Sequence, residues 1–82
     1  MWIKNRDELI NVDKIDYIDI YDDSFVGEDG QYICIYFLAF HIGSEEIRSQ
    51  NYGTPDRAQE VLDALYLALH DSSFNHFDMP EA

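Results

Sequence analysis

The chain has 82 residues, 46% of them apolar and 15% aromatic, with seventeen Asp and Glu against five Lys and Arg, for a net charge of -12. That apolar content excludes a disordered tail, and the length allows one small domain burying ~60% or slightly more of its unfolded surface. The charge weighs against direct binding of nucleic acid or of anionic membranes, and points to basic protein surfaces or cations as partners.

Taken in chain order, "MWIKN" and "ELINVD" read as two short strands parted by the turn "RDE". Lys4, Arg6, Asp7 and Glu8 interrupt what would be the apolar core of a secretion signal. "KIDYIDIYDD" (14–23) reads as a strand with a slip in its alternation: Ile15 and Tyr17 share one parity, Ile18 and Ile20 the other. A β-bulge near Tyr17 would bring all four to one face. "DSFVGEDGQ" is a loop in which Asp29-Gly30 suits the positive φ of a hairpin turn. "QYICIYFLAFHIG" (31–43) follows as a long central strand, and "EIRSQNYG" (46–53) as a more polar fifth strand at an edge.

"TPDRAQEVLDALYLALHDSS" is a helix with Thr54 as N-cap, Pro55 at its first position and Asp56 near the positive end of its dipole. Ala58, Val61, Leu62, Leu65, Ala68 and Leu69 form an apolar stripe, which Tyr66 and Leu67 widen beyond one packed face. Residues 1–71 are thus one domain, and 72–82, with Phe74 and Phe77, a tail that is loose or docked. Five strands and then one helix make an α+β domain: a curved, mostly antiparallel sheet of about five strands, packed on a C-terminal helix.

"MWIKN", "LINVDKI" and "NYGTPDRAQEVLDAL" together resemble small single-domain proteins of low-GC Gram-positive bacteria and their prophages. The likeness covers roughly residues 1–70 and implies a pleckstrin-homology-like half barrel capped by a helix. It brings no catalytic residues. Pro55 and Asp56 stand where that group has a more acidic helix start.

The central strand poses the main physical question. Tyr32, Cys34, Tyr36, Leu38, Phe40 and Ile42 share one face, and Ile33, Ile35, Phe37, Ala39 and His41 the other. One helix covers one face. A buried large apolar side chain is worth ~1.5–3 kcal/mol, so the second face needs a cover. Three answers stand open: the sheet folds over itself with the helix plugging one end, a homodimer forms, or a different partner docks. The homodimer would use Tyr32, Tyr36, Leu38 and Phe40.

Catalytic chemistry finds no constellation. Cys34, mid-strand among Ile and Tyr, reads as inert core, ~23 Å along the strand from His41 and on the opposite face. One Cys and three scattered His make no zinc spacing. Counted from Asp22, "DDSFVGEDG" puts Val26 at the fifth position of a calcium loop, where an oxygen ligand is required. No metal, cofactor or enzymatic role is expected. The lone cysteine fits a reducing cytoplasm, and even the apolar run from Tyr32 to Ile42 is short of the ~20 residues of a membrane helix.

What remains is electrostatic. Carboxylates at alternate strand positions lie ~6.6 Å apart, comparable with backbone phosphates, so an acidic edge can imitate a nucleic acid toward a basic channel. Asp16, Asp19, Asp22, Asp23, Glu28 and Asp29, with Glu45 and Glu46 on the facing turn, are the candidate partner-binding acids, and Tyr17, Tyr21 and Phe25 the aromatic anchors. In size and acidity the chain is similar to phage proteins that inhibit CRISPR effectors. The expected function is a phage-borne, non-catalytic inhibitor that occupies the basic groove of a host defence or nucleic-acid-binding protein in the bacterial cytoplasm. The alternative is a homo-oligomer that binds or sequesters a small ligand through its Tyr-rich sheet face.

Overall fold

Strands β1 (Trp2–Asn5) and β2 (Glu8–Asn11) form the first hairpin of the computed structural model, which describes residues 1–71 and 73–81. Ile3 and Ile10 pair across it and are buried. Arg6 turns the chain at φ 57, a left-handed conformation that costs a non-glycine residue about 1–2 kcal/mol. A single 3-10 turn, Val12–Lys14, follows, with the Asn11 side chain accepting the Asp13 N–H at 3.0 Å. That turn swings the chain off the first sheet, so the next strand starts a second one.

Strand β3 (Tyr17–Asp22) pairs antiparallel with β6 (Tyr36–Ile42), and β6 with β7 (Glu45–Arg48). Between them, β4 (Phe25–Val26) and β5 (Tyr32–Ile33) form a two-stranded ribbon. Asp22 faces Tyr36 and Phe25 faces Ile33, so the register is the same on both sides of the break. This is one long hairpin, interrupted where the Ser24 hydroxyl accepts the Ile35 N–H at 2.9 Å in place of a backbone carbonyl. At its tip the Gly30 N–H donates to the Gly27 carbonyl at 3.0 Å and Gly30 takes φ 81, a three-residue hairpin turn with glycine at the left-handed position.

Helix α1 (Pro55–Leu69) begins as its sequence suggests: Thr54 Oγ accepts the Arg57 N–H at 3.1 Å and Pro55 opens the first turn. Ala58, Val61, Leu65 and Ala68 are buried, Leu69 is partly exposed, and Tyr66 and Leu67 lie mostly outside. The buried face meets Leu38, Phe40, Ile3 and Ile10 in a single core. Strand β8 (His76–Asp78) then runs parallel to β1 and completes a sheet in the order β2-β1-β8. Phe77 and Met79 pack on the core, and the Pro80 carbonyl accepts from the Tyr52 hydroxyl at 2.7 Å. Ser72 and Ala82 of the tail lie outside the described residues.

The α+β class holds, but not the single five-stranded curved sheet. The described chain has three small sheets, of three, three and two strands. Two local events divide it: the 3-10 turn after β2 and the Ser24 interruption. The long strand from 31 to 43 is accordingly β5 and β6, broken at Cys34–Ile35. Cys34 is exposed rather than core, because it sits at that break beyond the reach of the helix. The bulge expected at Tyr17 does not put it beside the isoleucines. Ile15, Ile18 and Ile20 pack on the core, while Tyr17 stays on the opposite face.

The second face of β6 is covered within the chain, by neither a folded-over sheet nor another layer. Tyr21 stacks on Phe37 from one side at 5.3 Å between ring centroids, and the Arg48 guanidinium lies over the same ring at 4.9 Å from the other. Tyr17 stacks flat on His41 at 4.0 Å. Long flat side chains on the flanking strands lie down over shorter neighbours, which leaves Phe37 and Ala39 buried. Leu38 and Phe40 are 0% exposed beneath α1, so they cannot form the oligomer interface expected of them. Of that set, Tyr36 is half-buried and only Tyr32 is exposed.

Candidate protein-interaction surface

The outer face of the long hairpin collects much of the expected site. Alternation along β3 and β4, kept by the constant register, places Tyr17, Asp19, Tyr21, Asp23 and Phe25 in one row. All three aromatic anchors therefore share a face with two of the acids. Glu46 joins them from β7, opposite His41. Asp19 receives the His41 Nε2 at 2.8 Å, and Glu46 accepts from Arg48 Nε at 2.9 Å. The Glu46 hydrogen bond raises the Arg48 pKa, so that guanidinium stays charged over Phe37.

The remaining acids lie elsewhere. Asp16 sits at the far end of the hairpin, where its Oδ2 accepts the Gly43 N–H at 2.8 Å. Asp22 pairs with Tyr36 on the opposite face, and Glu45 lies on that face of β7. Hydrogen bonds from the Ser24 hydroxyl and then the Ser24 backbone N–H hold the Asp22 carboxyl below the ordinary aspartate range. Glu28 and Asp29 occupy the hairpin tip, where Asp29 Oδ1 accepts the Gln31 N–H at 3.1 Å. The carboxylates thus spread over two faces and a tip, not along one edge at phosphate spacing. Their effect on a partner is a shared negative field.

The arm formed by β4 and β5 adds residues that the sequence reading passed over. Val26 and Ile33 are exposed beside Phe25 and Tyr32, with 65%, 40%, 49% and 62% of their surface in solvent. The signal was present as apolar residues on both parities around "SFVGEDGQYI", where a loop is usually polar.

Two hollows lie away from this surface. One, of about 320 Å³, opens between the β1–β2 turn and the C-terminal segment, beside Lys4, Arg6, Gln50 and Asp78. The other, of about 290 Å³, is an apolar groove between the start of β3 and α1, beside Ile15, Tyr17, Leu62 and Tyr66. Among the described residues no three His, Cys, Asp or Glu side chains come together as metal ligands, and no helix is long and apolar enough to cross a membrane. Comparison with protein families, with curated proteins and with solved structures returned no match.

Proposed function

We propose that this protein is a non-catalytic interaction module that engages a basic surface on another protein. One observation carries the reading: every Asp, Glu, Lys or Arg between Ile15 and Ile47 is a carboxylate, with Lys14 and Arg48 the nearest cations on either side. That segment builds the whole long hairpin and its arm. Such a field speeds encounter with a basic partner and repels nucleic acid, and aromatic contacts then slow release. Tyr17, Tyr21 and Phe25 share the outer face with Asp19 and Asp23 and supply those contacts. In its finer form the reading is a phage-borne inhibitor that fills the nucleic-acid groove of a host defence protein, in line with the size and acidity it shares with inhibitors of CRISPR effectors.

The test is capture from bacterial lysate on the immobilised protein, with elution by a salt gradient and, separately, by double-stranded DNA. Release of the captured protein by both is the expected result. Capture that survives both contradicts occupation of a basic groove.

A further inference from the structure

The arm projects from the core. The molecule measures 47 × 26 × 20 Å, and its radius of gyration of 13.7 Å exceeds the about 12 Å expected of a compact chain of this length. Phe25 and Ile33 face one side of the ribbon and Val26 and Tyr32 the other, all exposed. A two-stranded ribbon alone is marginal in water, and this one is apolar on both faces. Its backbone is also open. The Asp23 N–H donates to the Ile35 carbonyl and the Gly27 N–H to the Gln31 carbonyl, which marks the inward-bonded positions. Ladder alternation then turns the N–H and C=O of Val26 outward. Among the described residues strand β3 has β6 as its sole neighbour in the sheet order, so its free edge leads directly to that of β4. The base of the β5 edge is already occupied, since Asn51 Nδ2 donates to the Cys34 carbonyl at 3.2 Å.

We propose that the free edge of β4 takes an extended segment of a basic partner as an added strand, with cationic and apolar side chains alternating along it. This rests on the reading of the protein as an acidic interaction module and names the segment it takes. Charge selects the occupant. Asp22, Asp23, Glu28 and Asp29 surround the arm with no cation among them, so a second copy would bring like charges together across the new pairing, whereas Lys or Arg would meet opposite ones. Main-chain bonds supply attachment, and the exposed apolar residues of the arm cover alternate side chains of the guest.

The experiment is an NMR titration of the ¹⁵N-labelled chain with two synthetic peptides of equal charge, one alternating Lys with Val, the other Lys with Gly and Ser. The alternating peptide binds at least about tenfold more tightly, shifts the amides of residues 22–27 and slows exchange of the Val26 N–H. Val26→Pro removes that outward donor without touching an internal bond, and abolishes the difference between the peptides while the amides of Phe40 and Leu65 stay in place. Phe25→Ser reduces the difference and provides a second variant. Equal binding of both peptides, or full binding by Val26→Pro and Phe25→Ser, overturns the strand-addition inference. If that equal binding still weakens between about 50 and about 300 mM salt, the acidic-module reading stands alone; if it does not, that reading fails as well. Self-association through the arm assigns it to a second copy and overturns the inference too.

Discussion

At the scale of single residues, hydroxyl and amide side chains replace backbone partners along β6. Ser49 Oγ accepts the Leu38 N–H and donates to the Gln50 carbonyl, both at 2.9 Å, and Ser49 is buried. Ser49→Ala strands a buried N–H, and a lower urea midpoint corresponding to a loss of about 1–3 kcal/mol is expected. Asn51 does the same for the next turn of strand: its Oδ1 accepts from Tyr36 N–H at 3.0 Å and from Gly53 N–H at 2.8 Å. Ser24 carries a titration signature. Its hydroxyl, then its backbone N–H, lowers the Asp22 pKa. A carboxyl depressed in the folded state contributes stability that is present above its unfolded value and lost as pH falls through the folded one, here below about pH 4. Ser24→Ala removes the first of those hydrogen bonds, so Asp22 should titrate at higher pH. Carboxyl NMR reads this directly, with Asp71, lowered by Ser73, as the unchanged internal reference.

At the scale of elements, α1 was legible and the division of the sheet was not. The helix announces itself through Thr54, Pro55 and the stripe from Ala58 to Ala68, all local signals. Thr54→Ala should cost about 1 kcal/mol in thermal unfolding through loss of the Arg57 N–H bond. The break in the long hairpin depends instead on a bond between Ser24 and Ile35, eleven positions apart, which no periodicity reveals. Strand β8 has three residues, "HFD", too few to show a period, and it exists because β1 offers a free edge. The covering of Phe37 was hidden for a related reason. It needs Tyr21 and Arg48 in register on flanking strands, and register is a tertiary fact. The candidate site divided similarly: the row from Tyr17 to Phe25 follows from alternation, whereas Asp16 and Asp22 turned elsewhere. Core and arm should also separate by mutation. Phe40→Ala is expected to cost about 3–5 kcal/mol, and Phe25→Ala, in the exposed arm, no more than about 0.5 kcal/mol in chemical denaturation.

At the scale of the molecule, a net charge of -12 on 82 residues makes self-repulsion a general term in stability and in association. Added salt should therefore raise the melting temperature of the free chain while it weakens capture of a basic partner, opposite responses to the same screening. The central claim is that one chain covers both faces of β6 by itself and leaves the arm apolar on both of its faces, kept from its own kind by charge. Sedimentation velocity at low ionic strength tests this most directly. The account predicts a single elongated species of 9.6 kDa, unchanged by Phe25→Ser. A stable dimer at low salt, lost on that substitution, would contradict it.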